Sequence, residues 1–133
     1  DFCLSRGLGD VYKRQTLDYE NDNLISSNLK FKEDDFSCFE VFVPENYVKD
    51  IVKALSRYDL LKEGSYTDVY ALIDVEGHWT TLEGAKAFIG EVGKESIERE
   101  KLMKFRVKKE FTDLAYYLIK KVHPYEVPVI NIF

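Results

Sequence analysis

The stretch "KLMKFRVKKEFTDLAYYLIKKVHPYEVPVINI", residues 101–132, predicts a strand, a helix and a second strand in direct succession. Its first part alternates apolar with basic side chains, which indicates a half-buried strand; the apolar positions are Met103, Phe105 and Val107. Its middle part repeats apolar residues at the spacing of one helix face; these are Phe111, Leu114, Ala115, Leu118 and Ile119. "VPVINI" closes as a short strand, with Pro128 near its start, where proline is tolerated.

The preceding part of the chain shows the same order of elements. "CFEVFVP" predicts a strand that begins at Cys38, and Pro44 follows where a helix can start without its N–H. The following apolar residues have the spacing of one helix face; they are Val48, Ile51, Val52 and Leu55. Gly64, after "DLLKE", ends this predicted helix. "YTDVYALIDVEG" is rich in aromatic and branched residues and predicts the next strand, followed by a long connection over residues 77–97.

The order of strand, helix, strand, strand, helix, strand predicts an α+β fold, a ferredoxin-like βαββαβ two-layer sandwich. Its antiparallel sheet carries two helices on one face. The other face is too apolar for water, with Val69, Ala71, Ile73 and Val75 on one side of the second strand and Tyr70 and Leu72 on the other. We therefore expect a second copy of the chain to cover this face.

The N-terminal segment lacks the pattern of a folded element. "DFCLSRGLGDVYKRQ", residues 1–15, has no helical or strand period and resembles a translated sequencing-adapter scar. Residues 16–37 are acidic and rich in Asn and Ser, which indicates an extended or disordered lead-in. We place the domain at residues 38–133. A further hypothesis is that residues 16–37 are the tail of a longer protein.

Composition excludes several classes of function. The chain carries 19 basic and 24 acidic side chains, a net charge of −5, which argues against binding to nucleic acid or to anionic membranes. Outside residues 1–15, Cys38 is the only cysteine, so a disulfide within the domain is excluded and a reducing cytoplasm is the expected location. The sequence has no apolar run of membrane-spanning length.

Two motifs resemble a known family. "GHWTTLEGAKAFIGEVGK", residues 77–94, followed by "HPYEVPVINI", residues 123–132, resembles the PII/CutA-like domain of the Nif-three-like proteins, also called GTP cyclohydrolase type 2 homologues. "HPYEVP" is also typical of CutA-type divalent-cation-tolerance proteins. The resemblance implies the fold and a homotrimer. It does not extend to the family's dinuclear metal site, whose ligands lie in flanking domains, and Thr81 and Ala87 replace prolines usual in the family.

The "HPYE" turn has a structural and a functional interpretation. His123 falls in the last turn of the helix, where a histidine meets the negative end of the helix dipole, and Pro124 prevents continuation of the helix. Capping alone explains both residues. In the functional interpretation, His123, Tyr125 and Glu126 face a cleft between subunits and bind a metal ion or a small ligand.

His78 and Trp79 are predicted to stand at the start of the long connection, facing a ligand. A tryptophan there could stack on a ligand ring, although covering the core is the common role of so large a side chain. If His78 met His123 across a subunit boundary near Glu83 or Glu126, zinc or copper could bind. With only two histidines in the chain, a closed tetrahedral site within one chain is not expected.

The remaining motifs carry weaker signals. Gly90 and Glu91 of "FIGEVGK" complete the predicted ligand-binding set, but the spacing does not match a phosphate loop. The acidic residues Glu95, Glu98 and Glu100 are interpreted as a solvated face leading into a strand, and the sequence predicts no catalytic residue.

The sequence therefore predicts a non-catalytic, oligomeric PII/CutA-like module that binds a small ligand or divalent cation near subunit interfaces. The alternative is a remnant or partner of a metal-dependent GTP cyclohydrolase type 2-like hydrolase that lacks its metal-ligand domains.

Overall fold

The computed structural model describes residues 35–133, and the predictions for residues 1–34 lie outside this range. The elements are β1 (Phe36–Val43), α1 (Val48–Ser56), β2 (Ala71–Thr80), β3 (Glu95–Lys108), α2 (Thr112–Val122) and β4 (Ile130–Ile132). Short 3-10 turns, Glu45–Tyr47 and Lys109–Phe111, lead into the two helices. None of the helices in the described range has the length and apolar character needed to cross a bilayer.

The four strands form one sheet in the order β2-β3-β1-β4, and each neighbouring pair is antiparallel. β1 and β2 therefore run in the same direction with β3 between them, which is the split βαβ arrangement. The predicted ferredoxin-like βαββαβ sandwich is confirmed.

The core lies between one sheet face and the two helices, as the alternation predicted. Phe39 and Phe105 stack with their ring centroids 5.2 Å apart, and Val41 pairs with Met103 at the centre of the sheet. The helices contribute the buried side chains Val48, Ile51, Leu55, Ala115, Leu118 and Ile119. Phe111 was wrongly placed on this face, because it belongs to the 3-10 turn before α2 and is exposed.

Two element ends differ from the sequence prediction. β1 begins at Phe36, within the predicted lead-in, because Phe36 and Ser37 pair with the end of β3. α1 ends at Ser56, before "DLLKE", because Asp59 adopts a left-handed backbone with φ of 58° that stops the helix. Leu60 and Leu61 follow as buried residues of a turn.

The β2–β3 hairpin is longer than predicted. β2 begins only at Ala71 and continues to Thr80, and β3 begins at Glu95, so the connection covers residues 81–94 instead of 77–97. The reason is cross-strand pairing, which extends through His78–Ile97 and Trp79–Ser96. His78 and Trp79 are strand residues, and their placement in a loop was wrong.

The sheet face away from the helices is partly exposed along the first half of β2, whereas Tyr125 lies against Trp79 farther along the same side. Ile73 retains 41% exposure there, and Ala71 and Val75 are half-buried. Burial of this face by a second copy of the chain stays a prediction.

Candidate functional site

Four aromatic rings from four different parts of the fold stand in a row, which we call the aromatic column. Trp79 of β2 lies 5.7 Å from Tyr125, which follows α2. Tyr125 lies 6.0 Å from Phe88 of the 81–94 connection, and Phe88 meets Tyr47 edge to face at 5.8 Å. These separations and tilts are those that aromatic pairs prefer, so the column fixes the relative positions of the four segments.

A buried carboxylate lies against this column. Glu100 of β3 is 7% exposed, and one of its oxygens accepts a hydrogen bond from the Tyr125 hydroxyl. Its other oxygen lies so close to Gly77 that a Cβ there would approach it to 2.3 Å. A glycine in the middle of β2 therefore makes room for the Glu100 side chain.

The environment of Tyr125 keeps its phenol protonated. Burial, followed by the hydrogen bond to Glu100 and the negative charge of that carboxylate, raises the pKa of Tyr125 well above its ordinary value. The phenol is therefore the donor and Glu100 the acceptor throughout the physiological range.

His123 holds the end of α2 against β1. Its Nε2 lies 2.6 Å from the carbonyl oxygen of Phe42, and its Nδ1 accepts a hydrogen bond of 3.2 Å from the Tyr125 amide. A carbonyl only accepts and an amide N–H only donates, so the ring is the neutral tautomer with its proton on Nε2. Burial lowers the pKa of His123, against the opposing effects of the Phe42 carbonyl and Glu100.

The helix end predicted at the "HPYE" turn is observed, but His123 lies one residue beyond the last turn and its ring bonds to the Phe42 carbonyl of β1. α2 ends at Val122, and His123 is its C-cap with an extended backbone. Because both ring nitrogens of His123 bond to groups of its own chain, a metal ion could bind this side chain only after displacing one of them.

The 81–94 connection folds back onto the aromatic column. Trp79 donates its indole N–H to the Ile89 carbonyl at 3.3 Å, and the Lys86 amide donates to the Glu126 carboxylate at 3.0 Å. Gly90 passes so close to β2 and β3 that a Cβ would lie 2.7 Å from the Thr81 and Ser96 hydroxyls. With φ of 116°, this position also favours glycine on conformational grounds.

A cleft of about 840 Å³ opens beside the column, between the 3-10 turn after β1, the β2–β3 hairpin and Phe88. Its carboxylates outnumber its cations: they belong to Glu45, Asp74, Glu76, Glu98 and Glu100. Lys101 bonds to two of them, Asp74 and Glu45, and these bonds raise the pKa of Lys101 and lower that of Asp74. The cleft is therefore acidic with one aromatic wall, which suits cationic or polar ligands.

The structure brings together five of the eight residues predicted for the ligand site. Trp79, His123 and Tyr125 are linked through the column, and Gly90 and Glu126 hold the connection against it.

The other three predicted residues lie apart. Glu83 is exposed on the connection, and Glu91 pairs with Lys94 at 2.7 Å. His78 lies beside Glu76 at 2.7 Å and, since neighbouring strand residues point to opposite faces, on the other face from Trp79.

The predicted metal residues His78, His123 and Glu126 are not gathered within one chain. Across residues 35–133, no three side chains of His, Cys, Asp or Glu form a group that could hold a metal ion. A site that combines these residues from two copies stays a prediction.

The sequence analysis missed Glu100, Phe88 and Tyr47. Glu100 was interpreted as part of a solvated face, whereas it is a buried strand residue. Gly77 was the available signal, because a glycine inside a strand often marks the close approach of another group. Phe88 and Tyr47 carry no comparable signal in the local sequence.

Comparison with known proteins supports the resemblance. No family model matches the chain. A "GTP cyclohydrolase 1 type 2 homolog" of Staphylococcus epidermidis is 26% identical over 112 residues, which cover 84% of this chain and 30% of that protein. A protein of the same name from Staphylococcus aureus is 26% identical over 79% of this chain. The chain thus spans about 30% of the length of the relatives it matches.

Solved structures show the same fold. A Bacillus cereus protein related to NIF3 matches with a TM-score of 0.63 at 18% identity, over 75% of this chain and 25% of that chain. The divalent cation tolerance protein CutA of Archaeoglobus fulgidus matches with a TM-score of 0.55 at 16% identity, over 74% and 81%. The chain therefore has the PII/CutA-like fold, and its sequence relatives are GTP cyclohydrolase type 2 homologues.

Proposed function

We propose that this protein is a non-catalytic, cytoplasmic, self-associating PII/CutA-like module that binds a small ligand or a divalent cation at the aromatic column, near a subunit boundary. The observation that carries the proposal is the hydrogen bond between half-buried Tyr125 and buried Glu100, beside an open cleft. The assembly is a homotrimer, as the family resemblance implies.

The buried carboxylate supports a binding role because it is costly for folding alone. Removing a carboxylate from water is unfavourable unless partners compensate; Tyr125 donates to one Glu100 oxygen, and Glu100 lines the cleft. The cleft volume of about 840 Å³ lies within the range of about 300–1,000 Å³ that is common for small-molecule sites. A ligand that donates hydrogen bonds or carries positive charge would complete the solvation of Glu100.

The sheet supports self-association. β2 is an edge strand of ten residues, and long exposed edges are usually covered or paired in native proteins. The uncovered sheet face beside it presents Ile73, Val75 and Leu102, which share one side of the hairpin according to its register. A second copy would bury this surface and bring the β2 edge of one protomer close to another.

Zinc or copper is one class of ligand that fits this proposal. His78 and Glu76 of one copy would supply exposed donors, and Glu126 of another copy would complete the set, together with His123 once one of its two hydrogen bonds is displaced. This arrangement depends on the assembly, because one chain does not gather these residues.

The second candidate is a remnant or partner of a metal-dependent GTP cyclohydrolase type 2-like hydrolase. The names of its relatives favour this alternative. In that case the module acts with metal-binding domains supplied by another part of a longer chain or by a partner protein. Recovery of the purified chain only in complex with such a partner would favour this alternative.

Self-association is tested by sedimentation velocity on the purified chain. We expect a species of three times the 15.6 kDa protomer mass, because the exposed part of the sheet face away from the helices presents the apolar side chains of Ile73, Val75 and Leu102. Ile73→Lys should shift it to the monomer by placing a charge on that face, whereas Tyr117→Lys, on the exposed side of α2, should leave the trimer intact. A wild-type protein that stays monomeric at its highest soluble concentration would contradict the proposed assembly.

A further inference from the structure

A second pocket of about 490 Å³ lies at the opposite end of β1 from the acidic cleft. It is formed where β1 begins at Phe36, where β3 ends at Lys108, and along the turn that follows α1. The acidic cleft instead borders Pro44, directly after β1. The two pockets share no lining residue and are independent surfaces of the domain.

The wall made by residues 57–66 is held in place before any ligand arrives. Leu60 and Leu61 are buried in the core, and the Leu60 amide donates to the Leu55 carbonyl at 3.1 Å. Glu63 and Tyr66 exchange two backbone hydrogen bonds of 2.8 and 2.9 Å. Small-molecule sites are usually preformed in this way, so binding here would not need to order the turn.

Arg106 and Phe36 form a stacked floor in this pocket. The Arg106 guanidinium lies 3.8 Å from the centre of the Phe36 ring and is held flat by two hydrogen bonds of 2.7 and 2.8 Å to the Glu63 carboxylate. A guanidinium fixed in this manner offers a planar, cationic surface on which rings stack.

The rim of the pocket is basic. Lys62 and Lys108 are exposed, and neither forms an ion pair with another residue of the described range. Asp59 is the one acidic residue among the lining residues that the structure describes. The pocket is therefore cationic in a chain whose net charge is −5, the opposite of the cleft beside the aromatic column.

Two further aromatic rings border the same pocket. Tyr58 and Phe111 are 52% and 40% exposed, although side chains of this kind are more often buried. Rings beside a basic rim match a ligand with a flat ring and an anionic group. We propose that this pocket binds a small anion that carries a planar heteroaromatic ring, with Lys62 and Lys108 facing its phosphate or carboxylate.

The test is an NMR titration of the full isotope-labelled chain with adenosine monophosphate. We expect saturable shifts of the Gly64 and Phe111 amides, and at least tenfold weaker binding of adenosine or inorganic phosphate alone. The double variant Lys62→Gln/Lys108→Gln should weaken binding of adenosine monophosphate at least tenfold, because both cations that face the anion are lost.

Lys120→Gln/Lys121→Gln is the matched control, since it removes the same charge from the exposed side of α2, and its dissociation constant should stay within twofold of the wild type. Absence of saturable shifts at Gly64 and Phe111 in the folded wild-type chain overturns the proposal. So does unchanged binding in the Lys62→Gln/Lys108→Gln variant. Shifts confined to Glu76 and Ile89, which line the acidic cleft, would assign the nucleotide to that cleft and likewise overturn this site.

Discussion

Replacing Gly77 with alanine is expected to lower the free energy of unfolding by about 2–4 kcal/mol, from overpacking and the loss of a charged hydrogen bond. The added Cβ would stand 2.3 Å from Oε1 and 2.9 Å from Cδ of Glu100. The carboxylate must then move, and it loses the Tyr125 hydroxyl. Thermal unfolding should show a decrease in Tm of about 10 °C or more for a domain of this size.

Glu100→Ala supplies the control for this prediction. The backbone at Gly77 does not have a positive φ, so alanine is strained there only by its contact with Glu100. In the Glu100→Ala background, Gly77→Ala should be neutral or stabilising by about 0.5–1 kcal/mol, the usual gain of alanine over glycine in a strand. Equal destabilisation by Gly77→Ala in both backgrounds would show that Glu100 does not occupy this position.

The stability of the protein is expected to decrease as the pH falls from about 7 towards 5, because His123 is held neutral in the folded state. Burial lowers its pKa from the ordinary 6.5, so the unfolded chain binds a proton at a higher pH than the folded chain does. Between the two pKa values the unfolded state holds more protons, and stability therefore rises with pH. Each tenfold difference in proton affinity between the folded and the unfolded state changes the free energy of unfolding by about 1.4 kcal/mol.

Urea unfolding across this pH range measures the effect. His123→Gln keeps a donor for the Phe42 carbonyl but does not titrate. The free energy of unfolding of this variant should therefore depend less on pH than that of the wild type. His123→Ala leaves the Phe42 carbonyl and the Tyr125 amide without their partner, and should cost about 2–4 kcal/mol at pH 7.5. An unchanged pH dependence in His123→Gln would refute the assignment of a buried neutral ring.

The arrangement of helices and strands was largely predictable because local periodicity carries it. The alternation of Met103, Phe105 and Val107 follows from a strand with one buried face, and the "HPYE" turn marks the end of α2. Element ends were less predictable. The turn at Asp59 precedes Leu60 and Leu61, apolar residues that were assigned to the helix. The length of the hairpin depends on pairing between β2 and β3, which no local pattern records.

The site was only partly predictable, because it too depends on contacts between residues that are distant in the sequence. Tyr125 and His123 stood out by residue type, but burial of Glu100 depends on Gly77 and on a tyrosine 25 residues away. Phe88 joins the column only because the 81–94 connection folds back through Gly90. Extending the predicted β2 by two residues, to Trp79, would have placed His78 and Trp79 on opposite faces of the sheet, because neighbouring strand residues alternate.

The fold alone does not settle the activity, because one architecture supports many functions. This chain carries a hydrogen-bonded pair of half-buried Tyr125 and buried Glu100 at an aromatic column, beside an acidic cleft. The single tryptophan is part of that column, so its fluorescence reports directly on the proposed site.

The most direct test of the proposed function is a Trp79 fluorescence titration of the full chain with zinc, copper, nucleotides and simple anions. We expect a saturable change with one of these ligands that is weakened at least tenfold in Tyr125→Leu, because the ring at the centre of the column is lost. Tyr117→Leu, an exposed tyrosine on α2, should bind as the wild type does. The absence of any saturable response in the folded wild-type chain, or equal binding by Tyr125→Leu, would contradict a ligand site at the aromatic column.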